Sequence, residues 1–404
     1  MKKLLSMILA VVMVLSLGAF ALADDPVEIT YWSMWNEGEP QAEVIAAAAE
    51  AYEAETGVHV NIEWKGRDLN TLITSALEAE EDIDIFEDDF NRIGQVDAPY
   101  TYDLTEMAEA AGYAEHSYPV FTDFSVKWAG YLNSIVEQPN VGGVFYDKDA
   151  FEAAGIEAEP TTWTEFLDAC QKLVDAGIAP IAQDGAYTNF SFYYHLVRYL
   201  GEEGIAELRE NGGWADNELA VQAAQDIIDL VNAGYLAEGA PDEYPASQNK
   251  IGLGLAAMVV CADYVTAEVD ANTGTEVNWG LFNYPTVEGG ASTAAYMGAN
   301  SLAIPAYSEH AQEAFDFMIF LTTGEWGQKL ADDCHMIPAD PTNECTSLPG
   351  AVETLLAADA PMTWCGELNT HPAWQTMKDM FTELFEGKYE TGADFCAAMD
   401  ALYE

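Results

Sequence analysis

Residues 27–32 (VEITYW) alternate polar and apolar side chains and are rich in β-branched and aromatic types, a pattern that predicts a strand. Residues 41–56 carry apolar side chains at helical spacing and stop before Gly57, which can take the left-handed conformation that closes a helix. Alternation returns at residues 59–64 (HVNIEW), so the three segments form a β-α-β unit. The pattern repeats: residues 69–80 read as a helix, 83–86 and 143–146 as short strands, and 162–176 as a helix opened by Thr161, Thr162 and Glu165. Strands alternating with helices predict an α/β fold with a mainly parallel sheet covered on both faces, whose ligands sit beyond the carboxyl ends of the strands. The last third is different, with helical periodicity at residues 309–321, 325–332, 351–358, 373–385 and 393–402. No linker, low-complexity tract or fixed-period repeat separates the two regimes, which suggests two domains with a chain that crosses between them more than once.

The first residues follow another rule. Lys2 and Lys3 precede an apolar run over residues 4–17 and the small-x-small triplet Ala21-Leu22-Ala23, as in a secretion signal cleaved after residue 23. The run is shorter than the roughly 20 residues that span a bilayer. The first cysteine is Cys170, far from the place of a lipoprotein cysteine, so the expectation is export without a lipid anchor. Cleavage would remove Lys2 and Lys3 and no acid, taking the formal charge from −55 to −57. A surface this acidic repels nucleic acid and anionic membranes and steers no anionic substrate inward, while it remains compatible with neutral or cationic ligands.

The six cysteines include no C-x-x-C pair, the six histidines no H-E-x-x-H, and Asp270-x-Asn272-x-Gly274 lacks the other ligands of a calcium loop. No metal or other cofactor is therefore predicted. In an exported chain Cys334 and Cys345 could form a disulfide that closes a short loop containing two prolines.

Four blocks, in order, carry a resemblance. They are EITYWSMWNEG (28–38) followed by ETGVHVNI (55–62), GGVFYDKDAFEAAGI (142–156) followed by PTTWTEFLDACQKLVDAGIAPIA (160–182), LGLAAMVVCADY (253–264), and YMGANSLAIPAYSEHAQEAFDFMIFLTTGEWGQKL (296–330). Together they resemble the extracellular solute-binding family that includes the maltose-binding and multiple-sugar-binding proteins of ABC importers. The resemblance implies a periplasmic-binding-protein-like fold, two α/β lobes around a ligand cleft, closing about several hinge crossings. It places an N-terminal lobe at 24–139 plus 294–324, a C-terminal lobe at 140–293 plus 325–404, and crossings near Asn140, Thr293 and Gly324. It also implies a carbohydrate ligand, above all an oligosaccharide, delivered by a monomer to the permease of an ABC importer, with no catalysis.

A sugar offers an apolar C–H face for aromatic rings and a rim of hydroxyls that must be paired once water is removed. Carboxylates suit that rim because an ionised acceptor makes the stronger hydrogen bond. Trp35, Asn36 and Glu37, past the first strand, fit this chemistry, and Trp32 divides between core and cleft by strand alternation. Asp88 and Asp89 follow the third strand. The resemblance implies contacts from Asn189 and Phe192 in YTNFSFYYHL, stacking from Trp374, and close backbone approach at Gly298 and Asn300. Tyr264 stands where many members have a stacking Trp, and Asp263 replaces a small or polar residue; both depart from the family pattern.

Two rivals remain open at this level. A polyamine would suit the acidity and the aromatic loops alike. A secreted glycosidase needs two carboxylates about 5–10 Å apart, and 69 acids supply such pairs by chance. No G-x-S-x-G nucleophile motif or phosphate loop is present, and the apolar run after Gly252-x-Gly254-x-x-Ala257 reads as strand where a dinucleotide fingerprint needs a helix.

Overall fold

The computed structural model describes residues 27–358 and 360–403. The expected secretion signal lies outside the described residues. Strand β1 (Glu28–Ser33) leads into helix α1 (Pro40–Thr56), which ends at Gly57 with φ 80°, and then into β2 (His59–Trp64). Helix α2 (Leu69–Glu78) and β3 (Ile85–Asp89) complete the repeat. Alternation puts Tyr31 in a core shared with Ile45 of α1 and Phe317 of α8 (Ala311–Thr322), while Trp32 faces Ile73 of α2. The first sheet is thus covered on both sides, which is why its strands are apolar on both faces.

A second sheet is built the same way around β5 (Ala179–Ile181), β6 (Ala256–Ala262) and β7 (Trp279–Phe282). Its core takes Phe166 from α4 (Trp163–Asp175), Phe192 and Leu196 from α5 (Thr188–Asn211), and Ile227 from α6 (Glu218–Asn232). Phe381 from α10 (Trp374–Phe385) and Phe395 from α11 (Gly392–Asp400) join them. Helix α4 starts at Thr162, which forms a capping box with Glu165 as its sequence predicts.

The two sheets share strands. β4 (Ile135–Asp147) pairs with β8 (Ala295–Ala303) over Ile135 to Val141, then with β6 from Gly142 and β7 from Val144. β8 in turn pairs with β9 (Pro361–Met362) at its start and with β3 at its end. Two continuous strands therefore join two α/β lobes. The path of strands runs β2-β1-β3-β8-β4-β6-β5.

Three expectations are corrected. The sheets are mixed: β3–β8 and all three pairings of β4 are antiparallel, because the joining strands run against their neighbours. And β4 extends well ahead of the expected 143–146, since Glu137, Gln138, Pro139 and Asn140 interrupt the apolar pattern that marks a strand. The third crossing also differs in place from Gly324. Helix α9 (Gly324–Asp333) packs Leu330 into the core of the first lobe, and the chain leaves that lobe only after it, with Ile337 and Ala339 buried in a cluster that includes residues of both sheets.

Buried Arg198 on α5 braces one joining segment. Its guanidinium donates to the carbonyls of Tyr284 (3.0 Å) and Ala294 (2.6 Å) and to Asn283 Oδ1 (2.9 Å), tying the second lobe to the residue just before β8.

Candidate ligand-binding site

Where the lobes meet, the carboxyl ends of β3 and β6 converge on β4 and β8. Strand register lines up Asp89, Asn300 and Gln138 across β3, β8 and β4. Asn300 Nδ2 donates to Gln138 Oε1 at 3.3 Å. Asp89 accepts from the backbone N–H groups of Asn91 and Arg92 through Oδ1, opening helix α3 (Phe90–Gln95). Gly298, opposite Asn140, faces open space: a Cβ built on it meets nothing within 4 Å. Gly142 is the reverse case, because a Cβ there would strike the Tyr296 ring at 2.9 Å and Phe190 at 3.0 Å. Only glycine lets β4 pass under that ring.

The second lobe contributes aromatic rings. Tyr187 lies edge-on to Tyr244 (5.8 Å) and Trp364 (5.9 Å) and tilted against Tyr264 (6.3 Å). Trp364 stacks on Phe190 at 4.2 Å with 9° between planes, and Tyr296 stands against both. Phe190 is buried and acts as the backing, whereas Tyr244 and Tyr264 are 43% and 40% exposed. Asp263, at the end of β6, leads into α7 (Tyr264–Thr273), and its backbone N–H donates to Val141 O on β4 at 2.9 Å. The residue keeps some exposure, but surrounding protein desolvates its carboxyl and pushes it up to about 7. Asp263 and Asp89 are the charges acting on the Tyr296 hydroxyl most strongly after burial, which puts both acids near that ring.

The other residues expected here are placed elsewhere, for physical reasons. Trp35 is 6% exposed in the core of the first lobe, with Arg67 over its ring at 4.6 Å. Its buried indole N–H makes no hydrogen bond among the described residues. Asn36 is held by Glu39 through its backbone N–H and its Nδ2, both at 3.0 Å, and Glu37 is simply exposed. Asp88 is buried and ion-paired with Arg92 at 2.8 Å. Asn189 is buried with its Nδ2 on Cys365 Sγ. Phe192 is core, between Phe381 and Phe395. Trp374 packs edge-on to Phe381 at 6.1 Å, away from the cleft rings. Cys334 and Cys345 are free thiols: Cys334 packs on the core of the first lobe, and Cys345 on the cluster shared by both.

Tyr187, Tyr244, Trp364, Tyr296 and Gln138 were not among the expected site residues. Tyr296 opens a block with strong family likeness, so its position before Gly298 was a usable signal. Trp364 and Tyr244 come from loops distant in sequence and carry no local mark.

Cavities of about 710 and 590 Å³ exist elsewhere, around Tyr146–Glu159 and between β7 and Pro349 to Ala357. Their aromatic walls are Tyr146, Phe151, Phe282 and Tyr284, all buried, so no open ring face meets a ligand there. The aromatic wall beside Asp263 is the better candidate.

Residues 35–328 match the model of the bacterial extracellular solute-binding protein family. The chain belongs to that family. Members of it bind solutes for ABC importers, and this binding protein shares their two-lobed fold. A multiple sugar-binding protein of Streptococcus mutans is 23% identical over 295 residues, covering 70% of this chain and 68% of the relative. The apo form of RafE from Streptococcus pneumoniae superposes with TM-score 0.73 at 15% identity, over 95% of the binding protein and 100% of RafE. A cyclic α-maltosyl-1,6-maltose binding protein from Arthrobacter globiformis gives 0.66 at 18% identity, over 94% and 98%.

Proposed function

We propose that this protein captures a saccharide of a few rings between its lobes and presents it to the permease of an ABC importer. The observation that carries this reading is the wall of half-open rings, Tyr187, Tyr244, Tyr264 and Trp364, set beside the polar row Asp89–Asn300–Gln138. The rings match the C–H faces of pyranoses and the polar row matches their hydroxyls. Two relatives, a multiple sugar-binding protein and a binding protein for a cyclic maltosyl-maltose, support the same class.

The proposed cycle breaks no bond in the ligand. The open form admits it, contacts from both lobes favour the closed form by their differential affinity, and the membrane permease reads closure. The lobes move as bodies about β4, β8 and the segment after α9. The working form is an exported monomer.

The test is a thermal-shift screen of mono- and oligosaccharides, since a ligand that binds only the native state raises its melting temperature by mass action. Hits are followed by small-angle scattering for closure. A broad saccharide panel that produces no shift, or shifts without compaction, sinks the reading.

A further inference from the structure

The cationic side chains of this protein are few, 14 in all, and several are spent on aromatic faces. Lys65 lies over Trp32 at 3.7 Å, Arg67 over Trp35, Lys127 over Phe124 at 4.5 Å, and Arg198 against Tyr194 and Tyr284. None of these rings belongs to the cleft group. Among the described residues no Lys or Arg sits over Tyr187, Tyr244, Tyr264, Trp364 or Tyr296.

The acids repeat the contrast. Asp88 pairs with Arg92, Asp340 with His116, and Asp242 with Lys250. Asp89, Asp263 and Glu268 have no ion pair among the described residues, though all three stand at the aromatic wall or opposite it. Glu268 accepts from Gln248 Nε2 at 2.9 Å, and after burial its proximity raises the Tyr244 hydroxyl. Carboxylates act on three of the wall's tyrosines: Glu268 on Tyr187, after the Cys261 thiol, Glu268 and Asp184 on Tyr244, and Asp263 and Asp89 on Tyr296.

Resting on the saccharide reading above, we propose that the ligand is an amino sugar or amino-bearing oligosaccharide, its protonated amine seated on Asp263 beside the rings of Tyr264 and Tyr296. Two independent features converge on this class. Ring faces without a protein cation attract an ammonium by their quadrupole, more strongly once water is excluded. A desolvated carboxylate without a counter-ion gains one hydrogen bond from a neutral hydroxyl, but full charge compensation from an ammonium. The same arrangement disfavours uronic acids and sugar phosphates, because closure would bury like charges together. Asp263 and Tyr264 are also the two positions at which the block 253–264 departs from the family pattern, so the specificity belongs to this chain.

The chemistry has a protonic signature. An ammonium on Asp263 stabilises the carboxylate, so binding below its free-state value of about 7 must release a proton. Affinity for an amino sugar then weakens about fivefold from pH 7 to 6 and approaches tenfold per unit below that, and it weakens again at alkaline pH as the ligand amine deprotonates. A neutral sugar follows neither limb.

Calorimetry on the mature chain at pH 7 decides the matter. The ligands are matched series: β-1,4 tetramers of glucosamine, N-acetylglucosamine and glucose, which differ only at C2, and amino against neutral monosaccharides of the galactose and mannose series. In at least one series the amino member binds ten times or more tighter than its neutral partner. Asp263→Asn brings the two within about threefold by removing the charge, and wild-type protein loses about fivefold between pH 7 and 6. The pH profile needs no variant, so misfolding of Asp263→Asn leaves the test intact. Neutral members that bind as tightly as amino ones overturn the amine and leave the saccharide reading standing. Amino members that all fail to bind overturn it too. Binding of spermidine with no saccharide overturns both.

Discussion

The two walls of the cleft are made differently. The first lobe offers polar groups held by strand register and a helix start: Asp89, Asn300 and Gln138. The second lobe offers rings that rest on one another and on buried Phe190. The residue types near each wall suggest the opposite, since the first lobe has Trp32 and Trp35 at the end of β1. Both are 7% exposed or less, and a basic side chain covers each. A ring becomes a binding surface only where packing leaves one face open, and local sequence carries no record of that.

The sharpest break in this comparison is between Trp35 and Tyr264. Trp35→Ala empties a core site and costs about 3–5 kcal/mol of stability, read by denaturant unfolding, while the remaining folded protein keeps its affinity. Tyr264→Ala does the reverse: affinity falls about tenfold in calorimetry and the melting temperature barely moves, because the ring is 40% exposed. A large affinity loss with unchanged stability in Trp35→Ala would reverse the assignment of the walls.

Beneath the polar wall lies a second contrast, between acids that face the cleft and acids sealed under it. Glu87 accepts from Tyr31 Oη, Ser33 Oγ and the Met34 N–H, and burial pushes it up to about 7. Glu137 is raised well above the usual carboxylate range by burial first and the Glu87 charge second. Both carboxylate oxygens of Glu137 lack a hydrogen-bond partner among the described residues. A value raised in the folded state means that the folded protein holds the proton more tightly. The stability this pair contributes is complete below the free glutamate value of about 4.3. It is lost as pH rises from there through the raised values that the two carboxyls have in the folded state. Glu137→Gln mimics the protonated form, so its melting temperature relative to wild type is higher at pH 8 than at pH 5. Equal differences at the two pH values would show that Glu137 does not hold a proton.

The smallest effect is at the exposed turn. Asn36→Ala with Glu37→Ala leaves ligand affinity within about twofold, because Asn36 is occupied with Glu39 and both residues are solvent-exposed. A loss of tenfold or more would bring this turn back into the cleft.

Much of the fold was legible because helices and strands are local patterns. The capping box at Thr162 and Glu165 and the glycine stop at Gly57 each depend on neighbours a few residues apart. The long β4 was legible only in its apolar second half, since its first half is a joining strand whose polar residues serve the cleft and the buried acids. Of the candidate site, Asp89, Tyr264, Gly298 and Asn300 lie at the cleft and were reachable from strand ends and family likeness. Phe192 and Asn189 show the limit: on a buried helix start, aromatic and amide side chains fill a core as readily as they bind a sugar.

By itself the sequence determined the class of fold, the order of its elements, the extreme negative charge and the family. Those follow from short-range periodicity, composition and motif order. Which tryptophan is open, which acid is paired, and which glycine faces empty space were decided only by tertiary structure. Each depends on groups brought together from Gln138, Asp263, Tyr296 and Trp364, distant in the chain, and on the few cations being spent elsewhere.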